Sequence, residues 1–400
     1  MSAPARPTPA PAWLVSPLMP APRSCVVPAC LVLAVVTLAG ACASESDSGS
    51  DRPGGPGGGS VSGYLAALPA DGTDDPVMVT YGDLARAEEI SGIERPDDIS
   101  DTDAIVDYLM DLGGIRQEEG ETARVATLVP GVAHTERSAS DMEGFVDDVG
   151  WSVLEVDSFA ERDTPPRRIA LLDGDFDGDR LEDALDDGGD GLLVAGDPGG
   201  DIDPTDVTPA RPLGEGLWLS LDDARLTVAA AEADVTAAGE ADGGDDTLAD
   251  DPALESLATA LDHEEVYSAV LVADAGLGSS SSAERVLGEH ATPEQIAALD
   301  ELPQCDGITG TAIGVADDGE PLLVLAISFT DSAAAEDNLT EVTDALADGE
   351  LPSSRRPWSE VLDVEEIRTR GSAVVARARP DQMMLGQWSN LVASRDFPPC

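Results

Sequence analysis

Asp173, Asp175 and Asp177 follow one another at intervals of two in the stretch LLDGDFDGDR, and such residues can bind a cation. Calcium takes carboxylate oxygens that converge within a tight turn, and the D-x-D-x-D-G spacing opens a calcium-binding loop of the EF-hand type. The loop is incomplete, because its twelfth position, which needs a bidentate acid, is Ala184. Together with Asp179, the three aspartates form a candidate calcium site, and calcium is the single cofactor that the sequence suggests.

The same acids also suit an ordinary junction between a strand and a helix. The stretch 166–190 has an apolar strand pattern, then the aspartates, then a helical pattern closed by glycines. Asp179 and Glu182 have the spacing of a capping box, and acids at a helix N-terminus favour its dipole. The corresponding junction in the second half of the chain, 328–332, carries a single acid, Asp331. This comparison favours the structural interpretation, a junction with a solvated acidic rim.

The residue types that most enzyme mechanisms need are missing or scattered. All 22 basic residues are arginine, which excludes a P-loop lysine, a Schiff-base lysine and a Ser-x-x-Lys pair. His134, His263 and His290 have no metal-ligand spacing, and no G-x-S-x-G motif is present. We therefore expect a non-enzymatic protein, with an extracytoplasmic hydrolase that lacks a recognisable motif as an alternative.

The N-terminus has the pattern of an export signal. Residues 1–41 contain no acid, and Arg6 and Arg23 precede the apolar run CVVPACLVLAVVTLAGA, which ends before Cys42. The preceding residues, LAGA, resemble a bacterial lipobox, although Ala39 stands where a branched residue is usual. We predict a signal peptide over 1–41, lipidation of Cys42 and a membrane anchor that places the protein on the outer face of the cytoplasmic membrane. Cleavage by ordinary signal peptidase, giving a secreted protein, and an uncleaved anchor are the alternatives.

The cysteines agree with export. Of the five, Cys25 and Cys30 lie in the signal and Cys42 would carry the lipid. The remaining two, Cys305 and Cys400, are predicted to form a disulfide in an oxidising compartment, with two free thiols as the alternative.

The charge of the chain limits its partners. Its formal net charge is -57, so its surface repels nucleic acid and anionic membranes. The acidic composition is typical of salt-adapted proteins, and a GC-rich coding bias would produce it equally well.

The pattern along the chain predicts four segments. The signal at 1–41 is followed by a flexible Gly/Ser/Asp tether at 42–62 and by two α+β units at 63–262 and 263–400. Both units run strand, helices, hairpin, helix, hairpin, helix, which indicates a tandem duplication. Each is expected to be a ferredoxin-like split unit, an antiparallel sheet with helices on one face.

Two local motifs carry a resemblance to other proteins. The V-x-Y-G-D-L start at 79–84 and the string IALLDGDFD, with the lipobox-like signal and the tether, are similar to uncharacterised envelope lipoproteins of high-GC actinobacteria. The resemblance implies an envelope location and no known activity.

Three functions follow as hypotheses. The first is a surface-tethered lipoprotein that binds an unidentified ligand or protein, and it predicts a concave or exposed apolar patch between the halves. The second is a calcium-dependent structural or adhesive module that uses Asp173 to Asp179. The third is the hydrolase.

Overall fold

The computed structural model describes most of the chain after the tether. The described residues are 59–70, 72, 75–115, 123–133, 139, 141–164, 167–196, 208, 211, 216–241, 246–273, 305–351, 354–393 and 397. The predicted signal peptide, Cys42 and most of the tether lie outside them. Within these residues no helix combines the length and the apolar character needed to cross a bilayer.

The described part of the chain contains twelve strands that form a single sheet. They are β1 (Val77–Asp83), β2 (Val156–Thr164), β3 (Arg167–Gly174), β4 (Asp186–Gly189), β5 (Leu192–Ala195), β6 (Leu217–Asp222), β7 (Arg225–Ala229), β8 (Ser268–Ala273), β9 (Ile308–Asp317), β10 (Pro321–Phe329), β11 (Leu362–Arg370) and β12 (Ala373–Pro380). Their order is β11-β12-β10-β9-β8-β1-β2-β3-β7-β6-β5-β4, and all neighbours are antiparallel. The prediction of an α+β protein with an antiparallel sheet is confirmed.

Ten α-helices in the described residues accompany this sheet. They are α1 (Val61–Ala67), α2 (Leu84–Ser91), α3 (Thr102–Leu112), α4 (Met142–Val149), α5 (Gly178–Ala184), α6 (Glu232–Ala241), α7 (Pro252–His263), α8 (Ser332–Asp348), α9 (Gln382–Leu385) and α10 (Asn390–Ala393). Helix α6 packs against β6 and β7. Its alanine-rich inner side, with Ala238 and Ala241 buried, packs on the sheet although its sequence gives little helical periodicity.

The two halves of the sheet repeat one strand order. Outward from the centre the first half runs β1-β2-β3-β7-β6, and the second runs β8-β9-β10-β12-β11. The halves join where β1 pairs with β8, from Val77 opposite Ala273 to Gly82 opposite Ser268. The hairpin β4–β5 then extends the first half alone. The expected ferredoxin-like split units are not confirmed, because β1, β2 and β3, like β8, β9 and β10, are neighbours in chain order without an interleaved strand.

Helices cover both faces of the sheet, so the expectation of helices on one face is wrong. Ile169 and Leu171 of β3 belong to the buried cluster under α7. Ala170 and Leu172, which alternate with them, belong to the cluster under α8 and α2 to α5. Strands that are buried on both sides are uninterrupted apolar runs rather than alternating ones. The runs RIALL in β3 and LLVLAIS in β10 have this character.

Helix α1 begins inside the segment that was assigned to the tether. Ser60 caps it by accepting a hydrogen bond from the Gly63 backbone. The carboxylate of Asp262, next to the end of α7, accepts hydrogen bonds from the backbone N–H groups of Val61 (2.8 Å) and Ser62 (3.1 Å). The folded part of the chain therefore starts about two residues before position 63, and its first helix is fixed to α7.

Candidate functional site

The first aspartate of the candidate calcium site is already bound by protein groups. Asp173 lies near the end of β3, opposite Arg225 of β7. Arg225 donates from Nε to Oδ1 at 2.7 Å and from Nη2 to Oδ2 at 2.9 Å. The hydroxyl of Tyr64 in α1 donates to Oδ2 at 2.8 Å. Both oxygens of Asp173 are therefore used within the fold.

The other three aspartates lie at the start of α5. Asp177 is the N-cap and accepts a hydrogen bond from the backbone of Arg180 at 3.2 Å, so the expected cap at Asp179 is wrong by two residues. Asp179 falls in the first turn, and Asp175 is exposed. Among the described residues, no three His, Cys, Asp or Glu side chains lie together in a way that could hold a metal ion. The structure thus does not bring the four aspartates together.

The equivalent junction in the second half is built in the same way. Asp331 caps α8 by accepting a hydrogen bond from the Ala334 backbone at 2.8 Å. A side-chain oxygen at this position satisfies one of the unpaired N–H groups that begin every helix. The shared cap agrees with the interpretation of 166–190 as a strand–helix junction.

Cys305 is disulfide-bonded and buried, with 3% of its surface exposed. Its expected partner Cys400, like Cys42, lies outside the described residues.

A cavity of about 480 Å³ lies beside the strand–helix junction at 166–190, between α5 and the outer strands of the first half. Five leucines line it: Leu181, Leu185, Leu192, Leu193 and Leu221. Glu182 of α5 and Asp187 of β4 add carboxylates to the lining. Its volume falls in the range of small-molecule sites, roughly 300–1,000 Å³.

The cavity exists because the first half has an extra hairpin and a short helix. Hairpin β4–β5 turns through Gly189, Asp190 and Gly191, with φ of 85°, 53° and 82°, and β5 pairs with β6. Helix α5 has 7 residues and α8, its counterpart, has 17. At 1.5 Å per residue they extend about 10 Å and about 25 Å. Helix α8 packs along β11 and β12, whereas α5 is too short to cover the widened sheet.

No local sequence pattern indicates this cavity. The segment DDGGDG was interpreted as the end of a helix, and LLVA after it was not assigned to a strand. A signal for the hairpin was present, because clustered Asp and Gly between two short segments favour a hairpin turn with positive φ.

The cavity combines an apolar interior with negative charge. Leu181 and Leu185 are buried, the other three leucines are half-buried, and Glu182 and Asp187 are exposed. Within the described part of the chain neither carboxylate forms an ion pair. Asp187 accepts a hydrogen bond from the Gly189 backbone at 2.8 Å. The site can thus take up an apolar group and hold it beside two carboxylates.

A second group of charges lies on the other half, around Glu264. Its side chain, 2% exposed, contacts the guanidinium groups of Arg368, Arg370 at 3.7 Å and Arg377 at 3.0 Å. Glu264 directly follows α7, and the partial negative charge at the C-terminus of this helix repels a carboxylate. The arginines offset both that partial charge and the charge of Glu264. This cluster connects α7 to β11 and β12, and its arginines are occupied by acids.

Along the seam between the halves, the pairing of β1 with β8 makes the sheet continuous. Of the large hydrophobic side chains that are exposed among the described residues, Met78 lies on β1, at this seam, whereas Met110 and Ile115 lie in and just after α3. The apolar patch expected between the halves stays a prediction, and the leucine-lined cavity lies within the first half.

Three of the tryptophans in the described residues belong to the core. Trp151, Trp358 and Trp388 are 1%, 0% and 3% exposed and belong to one buried cluster, whereas Trp218 is half-buried against the cluster on the other face of the sheet. Trp388 donates its indole N–H to the Ala126 carbonyl at 3.1 Å, which ties the C-terminal segment to a loop of the first half.

Comparison with known proteins adds no identification, since neither a protein-family model, nor a curated protein, nor a solved structure matches the chain.

Proposed function

We propose that this protein is a surface-tethered, extracytoplasmic lipoprotein without catalytic activity that binds a small ligand in the leucine-lined cavity. The export signal, Cys42 and the tether at 42–62 support the location. The repeated strand order supports a tandem duplication of one α+β unit.

The observation that carries the proposal is the difference between the two halves. In the second half the long helix α8 packs along the outer strands β11 and β12. The first half has instead an added hairpin and a helix of 7 residues, and the cavity opens between them. A cavity lined with leucine lowers stability through lost packing unless a ligand fills it. A bound ligand would fill the cavity and restore the lost packing contacts.

The binding proposal is tested by filling the cavity. We use the whole chain with Cys42→Ala, which carries no lipid and needs no detergent, and titrate it with the uncharged fluorescent probe N-phenyl-1-naphthylamine. Leu221→Trp places an indole in the cavity, and Leu193→Trp does the same from β5. We expect one site per chain, weakened at least about tenfold by either substitution.

Ile367→Trp is the matched control. Ile367 is half-buried on β11, the counterpart of the strand that carries Leu221, and it faces α8 rather than a cavity. We expect this variant to bind the probe as the parent chain does. Equal binding by all four chains, with folding verified by circular dichroism, would exclude the cavity as the site.

The location is tested separately by fractionation. The chain with its natural Cys42 should sediment with membranes, and the Cys42→Ala chain should be released. Release of both would favour secretion after ordinary signal cleavage.

A further inference from the structure

The carboxylates approach the cavity from two sides. Gly178, Leu181, Glu182 and Leu185 recur at helical spacing, so Glu182 lies on the face of α5 that lines the cavity. Asp187 lines the cavity from β4, where its backbone pairs with that of Leu193 in β5. A ligand whose apolar part lies among the leucines would therefore have its outer end between two acids.

Nothing basic in the adjoining sequence neutralises these acids. Between 175 and 190 the single base is Arg180, and its guanidinium is bound by Glu155 and by the Gly150 carbonyl. The exposed acids Asp183, Asp186 and Asp190 add negative charge nearby. The outer end of the ligand thus lies beside a stretch of exposed acids.

We propose that the cavity selects amphiphilic cations, that is, molecules with a short aliphatic chain and one ammonium group. This inference rests on the proposed binding function and specifies its ligand class. The aliphatic chain lies against Leu181, Leu185, Leu193 and Leu221, which share one buried cluster, and burial of its methylene groups provides the affinity. The ammonium group stays at the exposed edge, beside Glu182 and Asp187, where it keeps most of its water and avoids the cost of burying a charge.

The expected preference is modest and depends on salt. An exposed ion pair multiplies affinity by about two- to fivefold, so two carboxylates give roughly five- to tenfold at low ionic strength. Screening at 1 M salt, where the Debye length is about 3 Å, should remove most of this preference and leave the apolar contribution. An anionic ligand of the same length should bind more weakly than a neutral one.

The test compares octylamine, octanol and octanoate as competitors of N-phenyl-1-naphthylamine on the whole chain with Cys42→Ala. We expect octylamine to displace the probe at a five- to tenfold lower concentration than octanol, and octanoate to need more than octanol. The double variant Glu182→Gln with Asp187→Asn should bind octylamine and octanol alike.

A matched control separates the two carboxylates from the charge of the whole protein. Asp337→Asn with Glu341→Gln removes the same two charges from exposed positions on α8, far along the sheet. This control should keep the octylamine preference. If it loses the preference as the first pair does, overall surface charge is responsible and the assignment to the cavity is wrong.

Two further outcomes distinguish the inference from the function on which it rests. Octylamine and octanol that compete equally, both blocked by Leu221→Trp, would retain the binding site and overturn its preference for cations. Failure of the probe and of all three competitors to bind the parent chain would overturn both.

Discussion

Arg225 and Asp173 face each other across β7 and β3, and the guanidinium group contacts both carboxylate oxygens, at 2.7 and 2.9 Å. The guanidinium also lies 5.5 Å from the ring centroid of Tyr64, whose hydroxyl donates to Asp173. The pair therefore connects the outer part of the first half to α1, the first helix after the tether. It also explains why the first acid of an apparent calcium motif serves the fold.

Asp173→Asn should destabilise the protein clearly. The substitution removes a charge-assisted, two-point contact at a position where both side chains are 18% exposed. Hydrogen bonds to charged groups contribute about 1.5–3 kcal/mol, so we expect a loss of about 2–3 kcal/mol in urea unfolding. Asp175→Asn, which makes the same charge change at an exposed site in the same segment, should change stability by about 0.5 kcal/mol or less. Equal losses in the two variants would contradict a special role for Asp173.

Calcium should leave the melting temperature unchanged. A ligand that binds only the folded state stabilises it by RT ln(1 + [L]/Kd), so a calcium site would raise the melting temperature as calcium increases. The oxygens of Asp173 are occupied, and Asp177 caps α5. We therefore expect neither saturable heat in calorimetry nor a melting shift with millimolar calcium in high sodium. A shift that disappears in Asp177→Asn would restore the calcium-dependent module.

Much of the fold could be predicted from local sequence, because its elements carry local signals. The turn Asp317-Asp318-Gly319 between two apolar runs predicts the hairpin β9–β10, and the spacing of Leu339, Val342 and Leu346 predicts a helix at α8. The structure confirms both. The apolar runs of β3 and β10 are also typical of strands that are buried on both faces. The prediction of helices on one face of the sheet did not take this pattern into account.

The site could not be predicted in the same way. The cavity depends on the relative lengths of α5 and the sheet beside it, which no local pattern specifies. The contact of Asp173 with Arg225 joins residues 52 positions apart and requires the register of β3 against β7. Loop-forming composition at Asp186–Gly191 was visible, but its meaning depended on pairing between β5 and β6.

Glu264→Gln should be more destabilising than a change at a neighbouring exposed acid. Its side chain is 2% exposed and lies among three arginines, so neutralising it leaves partly buried positive charges without their counter-charge. Breaking a buried ion pair costs about 3–5 kcal/mol, and we expect about 2–4 kcal/mol here, since the arginines are each about a quarter exposed.

Glu366→Gln is the control for this prediction. Glu366 contacts Arg368 in the same cluster, but its side chain is 50% exposed, so the loss should be at most about 1 kcal/mol. Urea unfolding in low and in 1 M salt separates the two, because screening weakens exposed pairs much more than buried ones. A Glu264→Gln effect that vanishes in high salt would show that the cluster is only a surface network.

Glu161 should make stability decrease as pH rises. Burial raises the pKa of Glu161 above the usual value of a glutamate, although hydrogen bonds from the Val132 and Gly131 backbone and the nearby Arg168 act in the opposite direction. Between the ordinary pKa of the unfolded chain, about 4.3, and the raised pKa of the folded state, the folded protein binds more protons. The free energy of unfolding contributed by this group is therefore full below that window and is lost as pH rises through it.

The measurement is the difference in unfolding free energy between the parent chain and Glu161→Gln at a series of pH values from about 3.5 upward. The difference isolates Glu161 from the many other acids, whose contributions are common to both chains. We expect the unfolding free energy of the parent chain to fall relative to that of Glu161→Gln as pH rises through the window. Above the window the difference should stay constant. A difference that moves in favour of the parent chain would mean that the two backbone N–H groups and Arg168 outweigh burial, and that the carboxylate is stabilised in its charged form.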